Sequence, residues 1–238
     1  VVEVDVASEF RYREPIVDEN TLFIAVSQSG ETSDTLAAMK ESKRLGAKTL
    51  ALTNVVGSSI AREADQVLYT WAGPEIAVAS TKAYTAQIAV EAILAKKLGE
   101  ERGIEAAKDF DIHLELAKVA NAMQTMVDEK HEIEELTEKN LKTTRNAFYI
   151  GRSIDYDTAI EAALKLKEVS YVQTEGFASG ELKHGTIALI EEGTPVIAII
   201  TDEKTAAHTR SNVQEVIARG ANVITIVSRS LSNAGDQI

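Results

Sequence analysis

An internal repeat constrains the fold of this chain more than any other feature. Residues 21–54 and residues 194–228 each have the pattern strand, short polar turn, helix, glycine and second strand, with one inserted residue between them. The glycines that end the two helices are Gly46 and Gly220. The match extends to both sides, pairing residues 7–11 with 178–183 and residues 65–67 with 236–238. The sequence therefore predicts two copies of one α/β unit.

The hydrophobic pattern outside the repeat predicts further strands and helices. Strands are predicted at residues 1–6, 21–26, 49–53, 66–69, 147–150, 194–200 and 222–227. Helices are predicted at residues 34–45, 81–98, 155–172 and 204–219, with an amphipathic face at 104–117 and a charged, solvated helix at 129–141. Most of the strands are apolar at nearly every position, which is typical of a parallel sheet covered on both faces. Alternation of the two element types predicts a layered α/β fold.

Comparison of the two copies predicts a chain that is cut short at both ends. The extended match of the second copy, from residue 178, is preceded by the 147–150 strand and the 155–172 helix, whereas only six residues precede that of the first copy, from residue 7. The first copy continues into the 81–98 helix, whereas the second stops at Ile238. We expect a first subdomain at residues 1–98, connecting helices at 99–141 and a second subdomain at 142–238.

Composition excludes several classes of function. Acidic residues outnumber basic ones by 37 to 25, giving a net charge of −12, which argues against a nucleic-acid partner or a basic membrane surface. Cysteine is absent, and no apolar run reaches the ~18–20 residues of a membrane span. The four histidines lack metal-ligand spacing with carboxylates, so neither a metal nor a cofactor is expected. A cytoplasmic protein is the simplest expectation.

The turn after the 21–26 strand carries an unusual density of polar donors. It consists of Ser27, Gln28, Ser29, Gly30, Glu31 and Thr32, and a helix follows. A helix N-terminus at the carboxyl end of a parallel strand attracts anions, and a glycine lets the backbone approach one. N-capping by Thr32 or Ser33 is the alternative explanation, although it accounts for only one hydroxyl. Residues 201–205 of the second copy include two carboxylates, so only the first copy is expected to bind a phosphate ester.

The 155–172 helix and the segment after it carry candidate acid/base groups. Glu161, Lys165 and Glu168 share one helix face. Such a pattern is often plain surface stabilisation, but the small apolar residues around it predict a largely buried helix, and a buried carboxylate beside a lysine is a candidate general acid/base. His184 lies in a glycine-flanked turn and can open a sugar ring near neutral pH.

Four motifs together resemble a known family. SQSGETSDT, VASTKAYTAQ at residues 78–87, ALKLKEVSY at 163–171 and GELKHG at 180–185 are similar to the tandem sugar isomerase (SIS) domains of the glutamine–fructose-6-phosphate aminotransferases, the glucosamine-6-phosphate synthases. The resemblance covers essentially the whole chain. It implies two SIS subdomains, each a three-layer α/β/α, flavodoxin-like parallel sheet, and it implies a homodimer.

The resemblance also implies roles for individual residues. Phosphate binding falls to Ser27, Gln28, Ser29 and Thr32, and the sugar site to Val78 and Ser80. Glu168 moves the proton between C1 and C2 as fructosimine becomes glucosamine 6-phosphate, Lys165 assists, and His184 of a neighbouring subunit opens the ring. The family's glutaminase domain is expected upstream of this chain, and its Schiff-base lysine beyond Ile238.

Two alternatives stay open at this point. One is a stand-alone SIS deaminase or isomerase that uses or releases free ammonia. The other is a sugar-phosphate-binding regulator without catalysis, against which the presence of both Glu168 and His184 argues.

Overall fold

The computed structural model describes residues 1–236. It divides into two compact units, Val1–Met123 and the part that starts at Gln124, and each is described by itself. The repeat match at residues 237 and 238 lies outside the described residues.

The first unit contains a three-stranded parallel sheet in the order β1-β2-β3. Its strands are β1 (Leu22–Ser27), β2 (Lys48–Thr53) and β3 (Gln66–Tyr69). Its helices are α1 (Ala7–Phe10), α2 (Ser33–Arg44), α3 (Ser59–Glu63), α4 (Lys82–Glu101), α5 (Glu105–Asp109) and α6 (Ile112–Asp128), the last of which extends beyond the unit's final residue. A small core of Ala25, Met39, Ala51 and Ile60 joins the sheet to α2 and α3.

The second unit contains a four-stranded parallel sheet in the order β5-β4-β6-β7. Its strands are β4 (Asn146–Gly151), β5 (Gln173–Ala178), β6 (Pro195–Ile200) and β7 (Asn222–Val227). Its helices are α7 (His131–Asn140), α8 (Ile154–Ser170) and α9 (Glu203–Ile217), together with short 3₁₀ turns. All six residues of β6 are buried, as expected for a central strand covered on both faces.

The predicted α/β class with parallel sheets is confirmed, and both copies of the repeat fold as strand, turn, helix and strand. Two local predictions are wrong, and one strand was missed. Residues 1–6 form no strand, and Val1, Val2 and Val4 are exposed because no neighbouring strand pairs with them in the described chain. The predicted helical face at 104–117 is divided between α5 and α6, which are separated at Phe110 and Asp111. β5 was not predicted, because its sequence QTEGFA is mostly polar or small.

A buried carboxylate links α8 to the end of β6. Asp155, in the first turn of α8, is only 2% exposed. Its Oδ2 accepts the backbone N–H of Thr201 at 2.8 Å, and its Oδ1 accepts the Thr201 hydroxyl. These two bonds hold the residue after β6 beside the start of α8.

We predict that Asp155→Ala lowers the midpoint of thermal unfolding. Loss of hydrogen bonds to a charged acceptor costs about 1.5–3 kcal/mol of folding free energy. Asp157→Ala is the matched control, since Asp157 lies in the same helical turn but is exposed. Equal midpoints for the two variants, measured by calorimetry, would contradict the assigned link.

Candidate functional site

The parallel register of the first unit brings three chain segments to one edge of its sheet. Ser27 pairs with Thr53, and Thr53 pairs with Tyr69, at the carboxyl ends of the three strands. The residues that follow the strands are therefore neighbours, and ligands of open α/β sheets bind at this edge. The Ser27–Thr32 turn follows β1 there.

Hydroxyl groups of this turn converge. Ser27 is buried, and its Oγ lies 3.2 Å from the Oγ1 of Thr32. The same Ser27 Oγ accepts the backbone N–H of Gly30 at 3.1 Å, and the Ser29 Oγ accepts the N–H of Glu31 at 3.2 Å. The hydroxyls of Ser27 and Ser29 thus stabilise the turn through hydrogen bonds with its backbone, and Gln28 is half-buried.

The start of α2 has no side-chain cap. Thr32 occupies the N-cap position with extended backbone geometry, yet within residues 1–236 its side chain makes no capping hydrogen bond. The N-cap explanation of the turn is therefore wrong for Thr32, and Ser33 lies inside the helix. The first N–H groups of a helix have no intrahelical acceptor and carry partial positive charge. This helix end can accept an anion without any basic side chain.

Gly30 fits closely against the loop that follows β2. Its φ is +65°, and a Cβ at this position would lie 2.0 Å from the Oγ of Ser58. Its carbonyl accepts the N–H of Ile60 at 2.9 Å. Ser58 was not among the predicted residues, although it lies in the loop just after the strand that neighbours β1.

Glu31 places a negative charge in a turn that favours anions. Its Oε1 accepts the backbone N–H of Ser59, at the start of α3, at 2.8 Å. The hydrogen bonds from Ser59, with a smaller contribution from the charge of Arg62, lower the pKa of Glu31 below its ordinary value. The Glu31 carboxylate is thereby hydrogen-bonded to the start of α3.

The corresponding turn of the second copy is satisfied internally. Asp202, the N-cap of α9, accepts the N–H of Lys204 at 3.0 Å. The backbone N–H and the hydroxyl of Thr201 both donate to the Asp155 carboxylate. This arrangement supports the prediction that only the first copy binds a phosphate ester.

Lys165 of α8 lies between two carboxylates. Its Nζ is 2.6 Å from the Oε2 of Glu168 and 3.4 Å from the Oε1 of Glu161. Desolvation opposes the charged amine, but the hydrogen bond with Glu168 and the charge of Glu161 outweigh it, so the pKa of Lys165 is raised. Lysine is therefore a cation here that holds the Glu168 carboxylate in place.

The prediction that this helix is largely buried is wrong. Asp155, Ala159 and Ala163 are its buried residues, at four-residue intervals along one face. Leu164 and Val169 are exposed, because they lie off that face. The side chain of Glu168 is 31% exposed, so this carboxylate is reachable from solvent.

The remaining candidates lie in irregular segments. His184 ends the 3₁₀ turn Leu182–His184 and is exposed, and no hydrogen bond or ion pair joins it to Glu168 among the residues described. Val78, 97% exposed, and the half-buried Ser80 lie between β3 and α4. The structure brings together Ser27 with Thr32 in the first unit and Lys165 with Glu168 in the second.

Residues 1–236 contain no group of three or more histidine and acidic residues arranged to hold a metal ion. None of their helices combines the length and the apolarity that crossing a membrane requires.

Comparisons with known proteins agree with the fold and the motifs. The sequence pattern of the SIS domain matches residues 1–97 and 140–237. The glutamine–fructose-6-phosphate aminotransferases (isomerizing) of Oceanobacillus iheyensis and Geobacillus kaustophilus are 58% and 56% identical, each over 99% of this chain but 39% of the relative. The chain thus spans about two fifths of the length of these curated relatives.

A solved structure extends the agreement to three dimensions. The C-terminal domain of glucosamine-fructose-6-phosphate aminotransferase from Francisella tularensis superposes with a TM-score of 0.90 at 36% identity. The superposition covers 99% of this chain and 67% of that one.

We predict that Gly30→Ala weakens binding of inorganic phosphate and that Gly57→Ala does not. Both glycines have positive φ, so both variants carry backbone strain of about 1–2 kcal/mol. Only the Gly30 variant also meets Ser58, since nothing lies within 4 Å of a Cβ at Gly57. Phosphate titration followed by calorimetry measures the difference, and equal affinities would remove the turn from the site.

Proposed function

The chain belongs to the SIS domain family, and on that premise we propose that it is the sugar-phosphate isomerase part of a glutamine–fructose-6-phosphate aminotransferase. The reaction converts fructose 6-phosphate and ammonia, released from glutamine, to glucosamine 6-phosphate. The relatives that carry this name are 56–58% identical to nearly the whole chain.

The geometry of the Ser27–Thr32 turn is the observation that carries the proposal. The hydroxyls of Ser27 and Thr32 are 3.2 Å apart at an uncapped helix N-terminus. Ser27, Gln28, Ser29 and Thr32 would hold the phosphate through hydroxyls, the amide and backbone N–H groups. A phosphate held there acts as a remote handle that fixes the sugar for reaction at C1 and C2.

The catalytic part of the proposal rests on Glu168, Lys165 and His184. Glu168 removes the proton from C1 of the fructosimine and returns it to C2, which one carboxylate can do because the two carbons are adjacent. Lys165 holds Glu168 through the 2.6 Å contact. His184, supplied by a neighbouring subunit, opens the ring of fructose 6-phosphate by moving a proton from the C2 hydroxyl to O5 as the C2–O5 bond breaks. Val78 and Ser80 line the sugar site.

The proposal extends to the whole protein. A glutaminase domain that supplies ammonia is expected upstream, in the part of the relatives that this chain does not span. A homodimer follows from the role given to His184. We retain the division into subdomains at 1–98 and 142–238 and a cytoplasmic location as further parts of the proposal.

A stand-alone deaminase or isomerase and a non-catalytic regulator remain the competing functions. The high-identity relatives do not favour either, since they carry the aminotransferase name.

We predict that the full-length gene product forms glucosamine 6-phosphate from fructose 6-phosphate and glutamine. The amount of product is measured with glutamine and, in a parallel assay, with ammonia in its place. Product that forms with ammonia but not with glutamine would favour the stand-alone enzyme, and sugar-phosphate binding without product would favour the regulator.

We predict that Glu168→Gln lowers kcat by about 10²–10⁴-fold, the usual contribution of a positioned acid/base group, while sugar-phosphate binding persists. Glu161→Gln is the matched control, because it removes the other carboxylate that contacts Lys165. We expect kcat of Glu161→Gln to fall less than about tenfold, because Glu161 contacts Lys165 at the longer distance of 3.4 Å and does not carry the transferred proton. A near-normal rate for Glu168→Gln would show that another group carries the proton.

A further inference from the structure

We propose that Asn54 is a positioning residue that couples the phosphate turn to the segment carrying Val78 and Ser80. This inference rests on the proposed function, which supplies the residues that hold the phosphate and the residues that line the sugar site. Asn54 itself follows β2, the central strand of the first sheet.

The backbone N–H and the side chain of Asn54 form hydrogen bonds with two different segments. Its backbone N–H donates to the carbonyl of Gln28, in the phosphate turn, at 3.1 Å. Its side-chain Nδ2 donates to the carbonyl of Gly73 at 2.7 Å. Its Oδ1 accepts both the hydroxyl of Thr70 and the N–H of Ala72, each at 2.9 Å. One residue therefore binds the chain after β1 and the chain after β3.

Besides the bonds to Asn54, the first half of the segment after β3 is held by the N–H of Thr70, which donates to the carbonyl of Thr53 at 3.0 Å, and by a contact between the rings of Trp71 and Tyr69. Trp71 has a φ of +53° and is 76% exposed, and Gly73 has a φ of +71°. At the far end, Glu75 Oε2 accepts the N–H groups of Thr81 and Ala83, at 3.2 and 3.0 Å, which fixes the segment to the start of α4. Val78 and Ser80 lie between these two attachment points.

The second copy of the repeat shows which part of the arrangement is specific. Ser228 ends the second copy where Asn54 ends the first. Its backbone N–H donates to the carbonyl of Ile200, the last residue of β6, at 3.2 Å, which is one position earlier than the bond from Asn54 to Gln28 in the turn after β1. A serine side chain is too short for the three-way contact, and its Oγ lies 3.5 Å from that of Ser230. The side-chain bridge thus occurs in the copy that has the phosphate turn.

A coupling role differs from simple support of the turn in what it does to two ligands. Inorganic phosphate needs only the turn, which the backbone bond of Asn54 still holds after a side-chain substitution. Fructose 6-phosphate needs the turn and the Val78–Ser80 segment in register. Loss of the side-chain bridge should therefore weaken the sugar phosphate selectively.

The test uses the full-length protein with the variants Asn54→Leu and Thr70→Val, titrated with inorganic phosphate and with fructose 6-phosphate. Asn54→Leu roughly keeps the size of the side chain, removes its donor and its acceptor, and adds no charge beside the phosphate turn. We expect fructose 6-phosphate to bind about tenfold more weakly, with a matching rise in KM, a smaller change in kcat and nearly unchanged phosphate binding. Thr70→Val removes one donor and is expected to shift affinity in the same direction by less, and it serves as the test where Asn54→Leu does not fold.

Asn20→Leu is the control, since Asn20 is exposed and the hydrogen bond of its side chain goes to its near neighbour Asp18. Equal weakening of both ligands, or of neither, in the Asn54 and Thr70 variants would overturn the coupling role. Failure of the wild-type protein to bind fructose 6-phosphate would instead overturn the proposed function, and the coupling with it.

Discussion

The parallel register of β1, β2 and β3 is the constraint on which the candidate site depends. By pairing Ser27 with Thr53 and Thr53 with Tyr69, it ends three strands at one level of the sheet. The chain after each strand then begins beside the chain after its neighbour. A shift of this register by one residue would move Ser27 to the opposite face of β1 and separate Gln28 from Asn54.

Features that depend on local pattern could be predicted from the sequence. The repeat at residues 21–54 and 194–228 identified the α/β unit, because a buried parallel strand and a glycine-ended helix leave strong signals over short distances. The turn at Ser27–Thr32 was found for the same reason, since all its donors are consecutive. The pairing of Lys165 with Glu168 followed from helical spacing alone.

Features that depend on distant segments could not. The strand β5 is short of apolar residues and is a strand because β4 pairs with it, whereas the apolar alternation at residues 1–6 has no partner. Burial of α8 was overestimated, because sequence shows that a residue is small and apolar but not which face meets a sheet. Asn54 could not be singled out as one polar residue, because its hydrogen bonds to Gln28, Thr70 and Gly73 exist only where three strands end together.

The two copies of the repeat differ in the group that meets the partial positive charge at the start of the helix. In the second copy, the carboxylate of Asp202 supplies negative charge to the start of α9 from within the chain. In the first copy, the start of α2 receives no such group from Thr32 among the described residues. The first turn of α2 carries Asp34, but the N-cap hydrogen bond that Asp202 gives to α9 has no counterpart from Thr32 within residues 1–236. A phosphate bound at that helix end would supply the acceptor, and its binding would thereby be linked to the stability of the first unit.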